Sequence, residues 1–263
     1  MATLQREGTN LSYEVDGQGT PVTLVHGMGL DMRMWDDQVP ALSDIARVIR
    51  YDARGFGRSP RADSQTVYTH TDDLWALLDH LDVESSVLVG LSMGGGIVLE
   101  AALQAPERVR ALVLLDAYLN GVPFDAEASR GMDAVTEGLK EGGVPGAKAA
   151  WLRHPFFVPA QRQSQTAERL AQIVSDYAGL QWTEADPHGP RPDCRSLLGT
   201  INAPTTIVVG ELDVPCFHVM AEVMASEIPG ARKVVVPDAG HMVNMEAPEP
   251  VNALLRDVVT AAR

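Results

Sequence analysis

Cysteine is scarce in this sequence. Only Cys194 and Cys216 occur, in no CxxC or metal-ligand spacing; the pair permits one disulfide, but nothing requires it. Positive charge is also short: 21 Lys and Arg stand against 35 Asp and Glu, a formal net charge of −14. A surface that acidic repels phosphate backbones and anionic lipid, so neither nucleic acid nor membrane is expected as a partner. No apolar run approaches the roughly 20 residues that span a bilayer. The opening MATLQREGTNLSYEVDG has no basic segment followed by an apolar one, so no signal peptide is expected. These absences together lead to the expectation of a soluble cytoplasmic protein. Walker, HExxH and EF-hand patterns are missing, and Gly55-Phe56-Gly57-Arg58-Ser59-Pro60 starts like a dinucleotide fingerprint but lacks its third glycine. No cofactor and no metal are expected.

What is present is ordinary globular composition, with 45% hydrophobic and 21% charged residues over a length of 263, enough for one α/β domain with an insertion. Short apolar runs alternate with longer helical patterns, the rhythm of βα units and a mainly parallel sheet. Strands are expected at 11–15, 22–25, 47–51, 86–91, 111–115, 206–209 and 233–236. Several, such as SVLVG, ALVLL and TIVVG, are continuously apolar, as strands covered on both faces must be. Helices are expected at 32–42, 69–81, 93–104, 217–227 and 248–261. The rhythm breaks between about Asn120 and Ser196, where two helical segments (126–140 and 163–177) lie among Gly and Pro clusters without a convincing strand. The expected organisation is an α/β core from residues 1–119 and 197–263, with a helical cap, residues 120–196, inserted between two strands of one sheet.

The central chemical signal is Gly90-Leu91-Ser92-Met93-Gly94, a G-x-S-x-G between an apolar strand and a helix. A nucleophilic serine must project from a sharp strand-to-helix turn, and small flanking residues let neighbouring backbone pass close by. The helix that follows aims its positive end at the reaction centre. Serine needs a base. Of seven histidines, His241 stands just beyond an expected strand, at the sheet edge where catalytic groups of open α/β sheets collect. His70, His80, His154, His188 and His218 read as surface or structural residues, and His26 as a loop brace. The acid that orients the base is assigned to Asp213, after the strand at 206–209, in the chain order Ser, Asp, His. Asp116 is the competitor because it too ends a strand. Glu211 reads as shaping its turn, and Asp52 and Arg54 as structural. Two backbone N–H groups complete an oxyanion hole: Met93, following the serine, and Met28 in the His26-Gly27-Met28-Gly29 loop.

Six ordered blocks, VTLVHGMG, YDARGFGRS, VLVGLSMGGG, APERVRALVLLDA, IVVGELDVP and PDAGHMVNMEAPE, resemble the α/β-hydrolase superfamily along nearly the whole chain. DARGFGRS, GLSMGG and GHMVNMEAP are most similar to its enol-lactonase, carboxylesterase and cofactor-free haloperoxidase branch. The resemblance implies a mainly parallel twisted sheet flanked by helices, a helical cap, and a site with Ser92 as nucleophile, Asp213 as acid, His241 as base and Met28 and Met93 as oxyanion donors. Haloalkane dehalogenases carry aspartate where Ser92 stands. Carbon–carbon hydrolases of ring-cleavage products share the SMGG run but usually have asparagine where Leu91 stands. A carboxylic ester or lactone of modest size is the expected substrate. Perhydrolysis, carbon–carbon hydrolysis and a small-molecule receptor that retains the triad remain as alternatives. Trp151, Phe156, Phe157, Tyr177, Leu180, Trp182 and, from the core, Trp35 are available to line an apolar pocket.

Overall fold

The computed structural model describes residues 1–61 and 66–263. Among them eight strands form one sheet: β1 (Ala2–Arg6), β2 (Thr9–Asp16), β3 (Thr20–Val25), β4 (Ala46–Tyr51), β5 (Ser86–Leu91), β6 (Val109–Leu115), β7 (Thr205–Gly210) and β8 (Arg232–Val236). Their spatial order is β1-β2-β4-β3-β5-β6-β7-β8, with β1, β2 and β4 paired antiparallel and all other neighbours parallel. Every residue of β5 and of β7 is buried, which accounts for their uninterrupted apolar sequences. The helices are α1 (Gln38–Leu42), α2 (His70–His80), α3 (Met93–Gln104), α4 (Ala126–Leu152), α5 (Ser164–Asp176), α6 (Leu180–Thr183), α7 (Cys194–Leu197), α8 (Pro215–Glu227), α9 (Val243–Glu246) and α10 (Pro248–Ala261). None is long and apolar enough to cross a membrane.

Register decides where function can sit. Val25 of β3 pairs with Gly90, Leu91 of β5 with Leu115, Leu115 with Val208, and Gly210 of β7 with Val236. The carboxyl ends of five parallel strands therefore finish level. The segments that follow them, beginning at His26, Ser92, Asp116, Glu211 and Pro237, all emerge on one rim. Between β6 and β7 the chain runs through α4 to α7 without a strand among these residues.

Three features depart from the sequence reading. The single helix expected over 32–42 is a 3-10 turn, Met32–Trp35, followed by the separate α1. Pro40 has no N–H for the carbonyl of Asp36, and its ring clashes there, so a helix cannot run through. The strand β1 carries no apolar alternation because its residues are exposed or half-buried on both faces; it is held by hairpin pairing with β2 across Glu7-Gly8, with Gly8 at φ +71°. The helical pattern at 126–140 continues to Leu152 as α4, kinked at Gly143, whose φ of +62° no helix interior adopts.

Tight packing under the serine turn fixes two glycines. A Cβ on Gly94 would stand 2.1 Å from the Val25 carbonyl oxygen, and one on Gly90 2.2 Å from that of Gly94. Both obstacles are backbone, so the strand and helix would have to separate. Gly94→Ala is expected to destabilise the fold by about 2–3 kcal/mol, which lowers the thermal midpoint by roughly 5–10 °C for a chain of this size. Thermal melting followed by circular dichroism measures it.

Candidate active site

Ser92 joins β5 to α3 at φ +54° and ψ −115°. A non-glycine residue in this region stores on the order of 1–3 kcal/mol of strain and persists only where surroundings over-determine it. Here they do: its N–H donates to the Leu115 carbonyl (3.0 Å), and its carbonyl accepts from Gly96 (3.1 Å) and Tyr118 (3.0 Å). The side chain opens into a cavity of about 290 Å³ whose lining includes Ser92, His241, Met28, Met93 and Leu91. That size suits a small molecule.

His241 follows β8 and is buried. Its Nδ1 lies 2.9 Å from Asp213 Oδ2, and the other Asp213 oxygen accepts the Val214 N–H at 2.7 Å. The ring is held between two phenylalanines, with centroids 4.4 Å from Phe156 and 4.2 Å from Phe217. The imidazole's one hydrogen bond among the described residues is to Asp213; the Ser92 hydroxyl faces the same cavity without a bond to the ring. Such contacts are commonly loose before substrate arrives. No hydrogen bond among the described residues uses the backbone N–H of Met28 or of Met93, and both residues line the cavity.

Supporting residues act as the sequence suggested. His26 Nε2 accepts the Ala53 N–H (2.9 Å) and Nδ1 meets the Gly27 carbonyl (2.8 Å), bracing the Met28 loop. Asp52 accepts the N–H groups of Met32 and Arg58, both at 2.8 Å, and Arg54 forks onto Asp73 at 2.8 Å twice. Glu211 accepts the Asp238 N–H (3.1 Å). Glu246 was not anticipated. Its carboxylate takes the N–H groups of Gly240 (2.8 Å) and Met242 (3.0 Å), gripping the chain on either side of His241. Its carboxyl is pushed up by burial.

Asp116, the competing acid, is 1% exposed at the end of β6, with φ at +40°. One oxygen accepts the Gly210 N–H at 2.8 Å. Asp116, Asp213 and His241 bring oxygen and nitrogen atoms to within 4.8 Å of one another, a cluster of the kind that could hold a cation. The His241 Nδ1, both oxygens of Asp213 and one oxygen of Asp116 already hold hydrogen bonds inside the chain, so the cluster is a hydrogen-bonded array.

Of the aromatic candidates from the β6–β7 insertion, Trp151, Phe156 and Phe157 line the cavity. Tyr177 instead stacks on Phe56 and meets Trp182 edge-on, while Trp35 is wholly buried in the core. Tyr118, Phe124, Met132 and Phe217 complete the apolar wall, and His70, Gln181, Asp186 and Arg191 form a polar flank. Both cysteines are free and buried, their thiols pushed up to about 12 by burial.

His154 packs on Phe156, with Nε2 donating to the Ala128 carbonyl (3.2 Å) and Nδ1 accepting the Phe156 N–H (3.3 Å). This neutral tautomer has no room for a second proton, and burial lowers the ring to about 4. The unfolded ring titrates near about 6.5. Its contribution to stability is complete above that value and is lost as pH falls toward about 4, because only the unfolded chain takes up the proton. His154→Gln is expected to lose less stability than the parent between about pH 7 and about pH 5, the window those two values define. Urea midpoints at the two pH values check it.

With this geometry in view, the α/β hydrolase fold family matches the chain over residues 20–248. The chain belongs to that family. It is 34% identical over 246 residues to the dihydrolipoyllysine-residue acetyltransferase component of the acetoin cleaving system of Pseudomonas putida, covering 91% of this chain and 64% of that one. It is 27% identical to 3-oxoadipate enol-lactonase 1 of Acinetobacter baylyi, covering 93% and 91% of the two chains. A solved thermophilic esterase from Thermogutta terrifontis superposes with a TM-score of 0.78 at 33% identity, covering 97% and 94%.

Proposed function

We propose that this chain is a serine hydrolase that cleaves a carboxylic ester or lactone of modest size through an acyl-Ser92 intermediate. The observation that carries the reading is the His241–Asp213 pair at 2.9 Å, buried beside a cavity onto which the strained Ser92 turn also opens. His241 takes the Ser92 proton as the oxygen attacks the substrate carbonyl. Asp213 fixes the ring tautomer and stabilises the imidazolium. The free N–H groups of Met28 and Met93 receive the tetrahedral oxyanion. Collapse expels the alcohol, protonated by His241, and a water activated by the same ring releases the acid.

The scheme uses neither metal nor cofactor, and its only partner is the small-molecule substrate. Residues 120–196 serve as a cap over a core of 1–119 and 197–263, with Trp151, Phe156 and Phe157 closing the apolar side of the cavity. Esterase and lactonase relatives support this substrate class.

A fluorophosphonate probe tests the nucleophile, and a panel of p-nitrophenyl esters and lactones tests the class. Expected are a covalent adduct on the Ser92 peptide and multiple turnover of at least one ester or lactone. No adduct and no turnover would overturn the reading; stoichiometric acylation without turnover would favour a receptor.

A further inference from the structure

The acyl-transfer scheme leaves one buried carboxyl of the array unused. The Gly210 N–H fixes Asp116 Oδ1, and the Asp116 N–H is itself held by the Val208 carbonyl at 2.8 Å. The second oxygen, Oδ2, is shut off from solvent and receives no N–H or O–H. An oxygen of Asp213 lies within 4.8 Å of an oxygen of Asp116, and the two Asp213 oxygens accept from Val214 and from His241. Two carboxyls this close and this dry cannot both hold a negative charge. Asp213 has two donors that favour its ionised form, and Asp116 has one.

We propose that Asp116 is a positioning residue: it stays neutral, keeps its proton on Oδ2, and donates it as a hydrogen bond to the Asp213 carboxylate. This rests on the acyl-transfer reading for its consequence, though not for the location of the proton. Burial and the neighbouring Asp213 charge hold the Asp116 carboxyl well above the usual carboxylate range. The Glu246 charge acts in the same direction, and His241, bonded to Asp213, is the third member of the same close array. The neutral acid does two things. It locks the Asp213 rotamer that faces His241 Nδ1, and it leaves one negative charge behind the ring instead of two. Two would favour the protonated ring, which cannot take a proton from Ser92.

The test compares the wild type with Asp116→Asn and Asp116→Val. The amide of the first still accepts from Gly210 and still presents an N–H to Asp213; the second keeps neither. Asp116→Val is expected to lose about ten- to a hundredfold in kcat on p-nitrophenyl acetate, the scale for a misplaced catalytic group, with KM little changed. Asp116→Asn is expected to restore most of that loss and to leave the acid limb of the kcat/KM profile in place. Infrared difference spectra at neutral pH, wild type minus Asp116→Asn, should show the carbonyl band of a protonated carboxylic acid; this readout stands even if the valine variant fails to fold. Absence of that band, or a downward move of the acid limb in Asp116→Asn by about a pH unit, the size of a lost neighbouring charge, would overturn the proposal. An Asp116→Val enzyme indistinguishable from wild type would do the same. If the wild type shows no Ser92-dependent turnover, it is the acyl-transfer reading that falls, while the infrared band still decides where the proton sits.

Discussion

Ser92→Ala is expected to lower kcat on a short p-nitrophenyl ester by about 10⁴-fold or more, the scale reached when a serine nucleophile is removed. The loss should come without unfolding. The bonds that hold the turn, from Ser92 N–H to Leu115 and from Gly96 and Tyr118 to the Ser92 carbonyl, are all backbone and survive the change. Alanine also carries the same backbone strain at φ +54° as serine. Far- and near-ultraviolet circular dichroism should therefore overlay, while turnover vanishes and fluorophosphonate labelling is lost. Undiminished turnover would mean that another group attacks the ester.

The second large effect is expected at Asp213→Asn, about 10⁴-fold in kcat with KM little altered. Asparagine is nearly isosteric, and its carbonyl oxygen can still take the Val214 N–H. Its amide then turns a donor toward His241 Nδ1, where a carboxylate had accepted. The ring responds by moving its proton to Nε2, and that tautomer cannot receive a proton from Ser92. Steady-state kinetics at saturating ester measure the loss. The same measurement on Asp116→Asn settles the rivalry between the two acids. A large loss there and a small one at Asp213→Asn would exchange their roles.

How much of this was readable beforehand follows from where each signal resides. The strands β5 and β7 are buried on both faces, so their sequences announce them, and α10 does the same by periodicity, burying Val251, Leu255 and Val259 on one face. Ser92, Asp213 and His241 were nameable because each directly or nearly follows a strand end, a position that local sequence reveals. The break at Asp36–Asp37 was signalled by Pro40 and outweighed by the apolar spacing around it. The strand β1 has no local signal at all, since hairpin pairing rather than burial stabilises it. Asp116 was legible as a strand end, but its partners were not, and Glu246 carried no signal at all. The environment of Asp116 is assembled by residues tens of positions away, such as Gly210, whereas Glu246 reaches back only six and four positions, to Gly240 and Met242; a single sequence shows neither the convergence nor the fold of that loop. Likewise nothing in the spacing of 151–182 separates the aromatics that face the cavity, Trp151, Phe156 and Phe157, from Tyr177 and Trp182, which turn to each other.

The ring of His241 is clasped by Phe217, from the first turn of α8, and by Phe156, from the stretch between α4 and α5. One jaw thus belongs to the helix that follows β7 and the other to the long insertion between β6 and β7. A graft of that segment from a relative would replace half of the medium surrounding the imidazole along with the cavity walls formed by Trp151, Phe156 and Phe157. Selectivity and basicity are consequently heritable together in this architecture, and a chimera that gains a new substrate should also acquire a new pH optimum.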